Sequence, residues 1–164
     1  MIHIKRATYL FIILILAGGC STETTVNNRS IIQEGDITTY ENTLIAADMK
    51  EDIDDDGEIE HIKLLISPAP IRNPEKIGEY LWDDSHYWQL IVEDNHHLYA
   101  LFEDHVQGLA ELYIVNEGED ENTIMFETKG TTLSLIQYKY NHDGFFEKKV
   151  IYNEGPILNR STMK

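Results

Sequence analysis

The sequence predicts a mainly all-β protein: an antiparallel sheet or sandwich of about eight strands in two four-strand, blade-like units, with one short helix in a long loop. Three observations carry this. From Ile37 onward nearly every apolar segment is short, rich in β-branched or aromatic residues, and bounded by acidic, Asn or Gly turns. Several segments alternate with period two, as in Ile62, Leu64 and Ile66, then Trp88, Leu90 and Val92, then Leu98, Ala100 and Phe102. No stretch of helical periodicity longer than about ten residues competes with them.

Taken in order, the strands fall near 38–48, 59–67, 87–93, 97–103, 109–116, 123–128, 131–141 and 145–152. A faint echo groups them. "TLIAADMKEDIDDDGEIEHIKLLI" and "AELYIVNEGEDENTIMFET" both read strand, acidic loop, strand, and a hairpin follows each, which gives two units of four. The long loop between Ser67 and Tyr87 interrupts the rhythm. Asn73 before Pro74 is a good helix start, an N-cap and then a proline where no amide donor is needed, so a short helix is expected around 74–82. Long loops in compact domains tend to be functional or disordered. This one brings Tyr80, Trp82 and Tyr87, a candidate platform for a sugar or peptide because flat amphipathic rings suit both. The alternative is that these rings pin the loop to the sheet, with Trp88 in the core.

The chain opens with "MIHIKRATYLFIILILAGGC". Lys5 and Arg6 form a positive n-region, Ala7 to Leu16 an apolar h-region, and Ala17, Gly18 and Gly19 the small residues of a cleavage site. The apolar run is shorter than the ~20 residues that span a bilayer. Cys20, the single cysteine, follows at once. In this the sequence resembles a bacterial lipoprotein precursor, whose lipobox cysteine is diacylated and becomes the new N-terminus. The resemblance implies a signal peptide at 1–19, a lipid on Cys20, a polar tether to about residue 36, and an acidic β domain at 37–164. It places the protein in the cell envelope, lipid-anchored to the membrane on its extracytoplasmic side. Loss of residues 1–19 removes Lys5 and Arg6 and no acid, taking the net charge from −16 to −18. So acidic a domain is not expected to bind nucleic acid; its charge partners are cations.

The densest acidic run is "KEDIDDDGEIE", seven carboxylates in eleven residues. Two carboxylates ~4 Å apart repel by about 4 kcal/mol at a surface-like dielectric. Counting from Asp52, acids stand at positions 1, 3 and 5 (Asp52, Asp54, Asp56), a glycine at 6 (Gly57) and an acid at 9 (Glu60). Calcium takes six to eight oxygens at about 2.3–2.6 Å, and one tight turn of this kind supplies several. Position 12, where an EF-hand needs a bidentate Glu, is Lys63, and the flanks read as strands rather than helices. The stretch resembles the calcium loops of FG-GAP and VCBS-type repeats, in which D-x-D-x-D-G-x-x-[DE] joins the first two strands of a propeller-like blade. That resemblance, over residues 44–67 and only once, implies side-chain ligation by Asp52, Asp54, Asp56 and Glu60, with the Glu58 carbonyl added. The implied ion is a structural Ca2+ that cancels the repulsion and pins the turn. The alternative is a solvated acidic turn.

Other constellations are weaker. His86, His96, His97 and His105 cluster in sequence, but adjacent residues on a strand face opposite ways, so they read as polar turn residues. There is no G-x-S-x-G elbow, H-E-x-x-H pair or Gly-rich phosphate loop. The expectation is a non-catalytic binding or interaction domain with an unknown protein or glycan partner. Two alternatives stand beside it: an extracytoplasmic hydrolase with a carboxylate pair, and a purely structural envelope protein without calcium.

Overall fold

The computed structural model describes residues 28–81, 86–118 and 122–156. The signal peptide, Cys20 and Trp82 lie outside the described residues. Eleven strands follow one another among those described: β1 (Arg29–Gln33), β2 (Leu44–Glu51), β3 (Glu60–Ser67), β4 (Ile71–Arg72), β5 (Tyr80–Leu81), β6 (Tyr87–Asp94), β7 (His97–His105), β8 (Gly108–Asn116), β9 (Asn122–Gly130), β10 (Thr132–Asn141) and β11 (Phe145–Pro156). All pairings are antiparallel. One sheet has the order β2-β3-β6-β7, the other β1-β11-β10-β9-β8, and β4 with β5 forms a separate ribbon. Each unit of four expected from the sequence is thus one meander and one sheet.

The inner faces of the two sheets share one apolar core. The first contributes Ile62, Leu64, Ile66, Trp88, Leu90 and Val92, the second Ile124, Phe126, Ile136, Tyr138 and Phe146. Rings lock the layers together: Phe102 lies 4.7 Å from Phe126, and Tyr99 lies 5.1 Å from Phe146. Burying one such side chain stabilises by about 1.5–3 kcal/mol, so the alternation read along β3 and β6 is what holds the sandwich closed.

Four expectations are corrected. Residues 29–33, read as tether, form β1, which lengthens the second sheet by pairing Arg29 with Lys149 and Ile32 with Phe146. The first strand starts at Leu44, not residue 38. Residues 37–43 instead cross the outer face of the first sheet, where Gln89 Nε2 donates to the Thr38 carbonyl at 2.8 Å and Tyr40 Oη donates to Glu103 Oε1 at 2.9 Å. No helix forms over 74–81. Ile77 there is fully exposed, so one apolar face has nothing to bury against, and Gly78 sits at φ +86°. Asn73 still caps, but its Oδ1 accepts from the Glu75 amide in a turn.

The fourth concerns β7. Its buried face is Tyr99 and Leu101, while Leu98 is exposed. The register slips between Leu90↔Phe102 and Ile91↔Ala100, leaving Leu101 as an extra residue. Such a bulge reverses which residues point inward on either side of it, so Phe102 faces the core and Ala100 does not. Among the described residues no helix is long and apolar enough to cross a membrane.

Candidate metal site and its surroundings

The acidic run forms the connection between β2 and β3, the first two strands of the first sheet. Of its two isoleucines, Ile59 is exposed and Ile53 sets its position. Ile53 is buried in the core, and its amide donates to Glu60 Oε2 at 2.7 Å, so the loop closes on itself at the base of β3. Removing such a side chain leaves a cavity, and Ile→Ala at buried sites typically costs about 2–5 kcal/mol. Ile53→Ala is expected to lower stability by about 2–3 kcal/mol in urea unfolding, and a loss below 0.5 kcal/mol would show that the loop is not seated by this residue.

Above Ile53 the backbone turns tightly, with Asp55 at φ +60° and Gly57 at φ +88°. Those left-handed positions suit Asp and Gly. Side chains take up the loop's own amides: Gly57 N donates to Asp52 Oδ2 at 3.0 Å, Asp56 N to Asp54 Oδ1 at 3.2 Å and Glu58 N to Asp56 Oδ1 at 2.7 Å. One carboxylate oxygen from each of Asp52, Asp54 and Glu60 lies within 4.8 Å of the other two. Oxygens held about 2.3–2.6 Å from a common centre stand no more than about 5.2 Å apart, so the trio suits calcium in spacing and in its all-oxygen chemistry. A further sign is Asp52 Oδ1, which is buried and has no hydrogen-bond partner.

The electrostatics are those of like charges in a confined place. Burial pushes the Glu60 carboxyl up to about 7, with Asp54, Asp94 and Asp52 adding to it and the Ile53 amide opposing. Burial likewise raises Asp54, and the Asp56, Asp94 and Asp52 charges add to that rise. Of the four carboxylates expected as ligands, Asp52, Asp54 and Glu60 converge. Asp56 Oδ1 accepts from the Glu58 amide, and the carboxylate of Glu58, whose backbone carbonyl was the expected ligand, accepts from Asn95 Nδ2.

Three residues around the loop were not singled out from the sequence. Asp94, at the end of β6, is buried and raised by that burial. Asn95 holds Glu58 from the β6–β7 turn, at φ +50°. Asn122 Nδ2 donates to the Asp52 carbonyl at 2.7 Å from the start of β9. Only register could have pointed to Asp94: His61 pairs with Glu93, which brings the next residue of β6 beside Glu60.

The expected aromatic platform takes a different form. Tyr87 stands with Tyr40 (centroids 4.7 Å) and His105 (4.9 Å), and all three line a small hollow with Pro68. Tyr80 is half-buried on β5, opposite Arg72. The histidines do not converge. His96 and His97 are exposed at a turn, as expected, and His97 bonds Glu34. His86 departs from the expectation, being buried with Nδ1 2.9 Å from the Pro68 carbonyl oxygen.

Compared with protein-family models, curated proteins and solved structures, the chain matches none.

Proposed function

We propose that this is a lipid-anchored protein of the bacterial cell envelope whose β-sandwich is a non-catalytic binding or interaction module, stabilised by Ca2+ in the loop from Asp52 to Glu60. The observation that carries the metal reading is the convergence of Asp52, Asp54 and Glu60, beside which Asp52 Oδ1 is buried without a hydrogen-bond partner. Supporting it, the loop joins the first two strands of a four-strand meander, where FG-GAP and VCBS-type repeats carry theirs. The anchor rests on "LAGGC" with a positive n-region and an apolar h-region before it. Bound calcium supplies positive charge to the trio; the chain's own part is to hold those oxygens and to fix the turn through Ile53 and Asn122.

Extracellular calcium modules bind at roughly 0.1–1 mM, and calorimetric titration of the mature chain carrying Cys20→Ser is expected to give a dissociation constant in that range. No heat beyond dilution up to 10-fold above it would remove the metal from the proposal. Metabolic labelling with radioactive palmitate tests the anchor: label is expected in the parent and absent from Cys20→Ser, and an unlabelled parent would overturn it.

A further inference from the structure

A cleft opens at the opposite end of the strands from the acidic loop. It encloses about 670 Å³, within the ~300–1,000 Å³ usual for small-molecule sites. The β7–β8 corner, the β9–β10 turn and the later part of β11 form its walls. Its lining combines apolar side chains, Phe102, Val106, Ile136 and Val150, with hydroxyls and amides, among them Thr128, Thr132 and Ser134.

The balance of charge here is opposite to that of the chain as a whole. The chain holds 29 acidic residues against 13 Lys and Arg, yet this cleft is lined by Lys129 and Lys148 against Asp104 as its one acid. Lys129 is already paired with Glu127 at 3.2 Å. Lys148 is different. It pairs in register with Tyr138 and stands two residues after Phe146, both buried, so its side chain leaves β11 on the inner face of the sheet. There it is half-buried, with no ion pair among the described residues. A half-buried lysine with no carboxylate within 4.0 Å among the described residues, in a chain this acidic, is suited to an anion brought from outside.

We propose that this cleft binds an acidic monosaccharide unit, its carboxylate at Lys148, its hydroxyls on the Thr and Ser side chains and its C–H surface on the apolar side chains. The volume is far larger than a free inorganic anion fills, and a lining that mixes apolar side chains with hydroxyls suits a pyranose, which offers both C–H and hydroxyl surface. This names a ligand class for the binding module proposed above and rests on that reading, though not on its calcium.

The test is a titration of the mature Cys20→Ser chain with glucuronate and with glucose, followed by amide NMR shifts. Glucuronate is expected to perturb residues 128–134 and Gln107, and to bind at least about tenfold more tightly than glucose, a difference of about 1.4 kcal/mol. Lys148→Gln, with an unchanged melting temperature, is expected to abolish that preference. Ser134→Val is expected to weaken both sugars. Shifts confined elsewhere, no shifts at 20 mM sugar, or an intact preference in Lys148→Gln would each overturn the site. Repeating the titration in chelator separates the two proposals. Cleft shifts that persist there, with no heat in the calorimetric calcium titration, would sink the metal reading alone; calcium binding in that titration without cleft shifts would sink this one alone.

Discussion

Gly130→Ala is expected to lower the stability of the protein by about 2–3 kcal/mol, at the upper end of the range for forcing extra atoms into a packed site. A Cβ on Gly130 would stand 1.6 Å from the Gln107 carbonyl oxygen and 2.8 Å from its carbon. Both are backbone, so no side chain can swing aside. Gly130 is also in register with Gly108, which occupies φ +142°, a conformation that disfavours side chains. The β7–β8 corner and the β9–β10 turn can approach this closely because both positions lack a side chain. Relief would require the corner linking the two sheets to move outward. For a domain of this size the loss corresponds to roughly 6–12 °C in melting temperature. Gly35→Ala is the control, since nothing lies within 4 Å of its added carbon and its φ is unstrained. A change below 0.5 kcal/mol in Gly130→Ala would show that the corner is not packed as described.

The second large effect is on pH dependence with metal removed. Glu60 is pushed up to about 7 from an ordinary value of 4.5, so the folded protein keeps a proton there that the unfolded chain releases. Between those values the folded state binds more protons, and stability falls as pH rises. The contribution is fully present below about pH 4.5 and lost above about pH 7. One unit is worth about 1.4 kcal/mol in full, and with water reaching the loop rim a total loss on the order of 2 kcal/mol is expected. Asp54 and Asp94, raised by burial, act in the same direction. In chelator the melting temperature should therefore fall from pH 5 to pH 8, and calcium should suppress the fall by replacing the proton. Glu60→Gln keeps an oxygen for the Ile53 amide without the charge. It is expected to melt higher than the parent in chelator at pH 8 and to gain nothing from calcium. A variant melting below the parent under those conditions would contradict this.

What could be read from the sequence divides by distance along the chain. The meanders were legible because each strand carries its own alternation, as in Ile62, Leu64 and Ile66, and each turn its own Asn, Asp or Gly. β1 was not, because "RSIIQ" has two apolar residues and acquires its strand only by pairing with β11. The inner face of β7 was misread for a similar reason: the bulge at Leu101 follows from its partner β6, not from the β7 sequence. Asn73–Pro74 signalled a chain reversal, but a cap without a buried face, with Ile77 in solvent, makes a turn. The site follows the same rule. Asp52, Asp54 and Glu60 were visible from spacing, whereas the anchoring role of Ile53 was not, because Ile59 in the same run is equally apolar and lies exposed. Asp94, Asn95 and Asn122 reach the loop from positions 34–70 residues later, and only the pairing of β3 with β6 and the packing of the second sheet on the first bring them there. The cleft at Lys148 depends on both sheets and had no local signature.

The most direct test of the calcium loop is thermal unfolding of the mature Cys20→Ser chain at pH 7.5, with 5 mM calcium and then with excess chelator, in the parent and in Asp54→Asn and Asp55→Asn. For a site of ~0.1–1 mM affinity, 5 mM calcium stabilises by about 1–2 kcal/mol, or roughly 3–8 °C. That shift is expected in the parent, absent from Asp54→Asn, and retained in Asp55→Asn, where an exposed side chain at φ +60° is replaced by one that tolerates the same backbone. Equal melting of the parent with and without calcium would make "DIDDDGEIE" a solvated acidic turn and leave the sandwich without its metal.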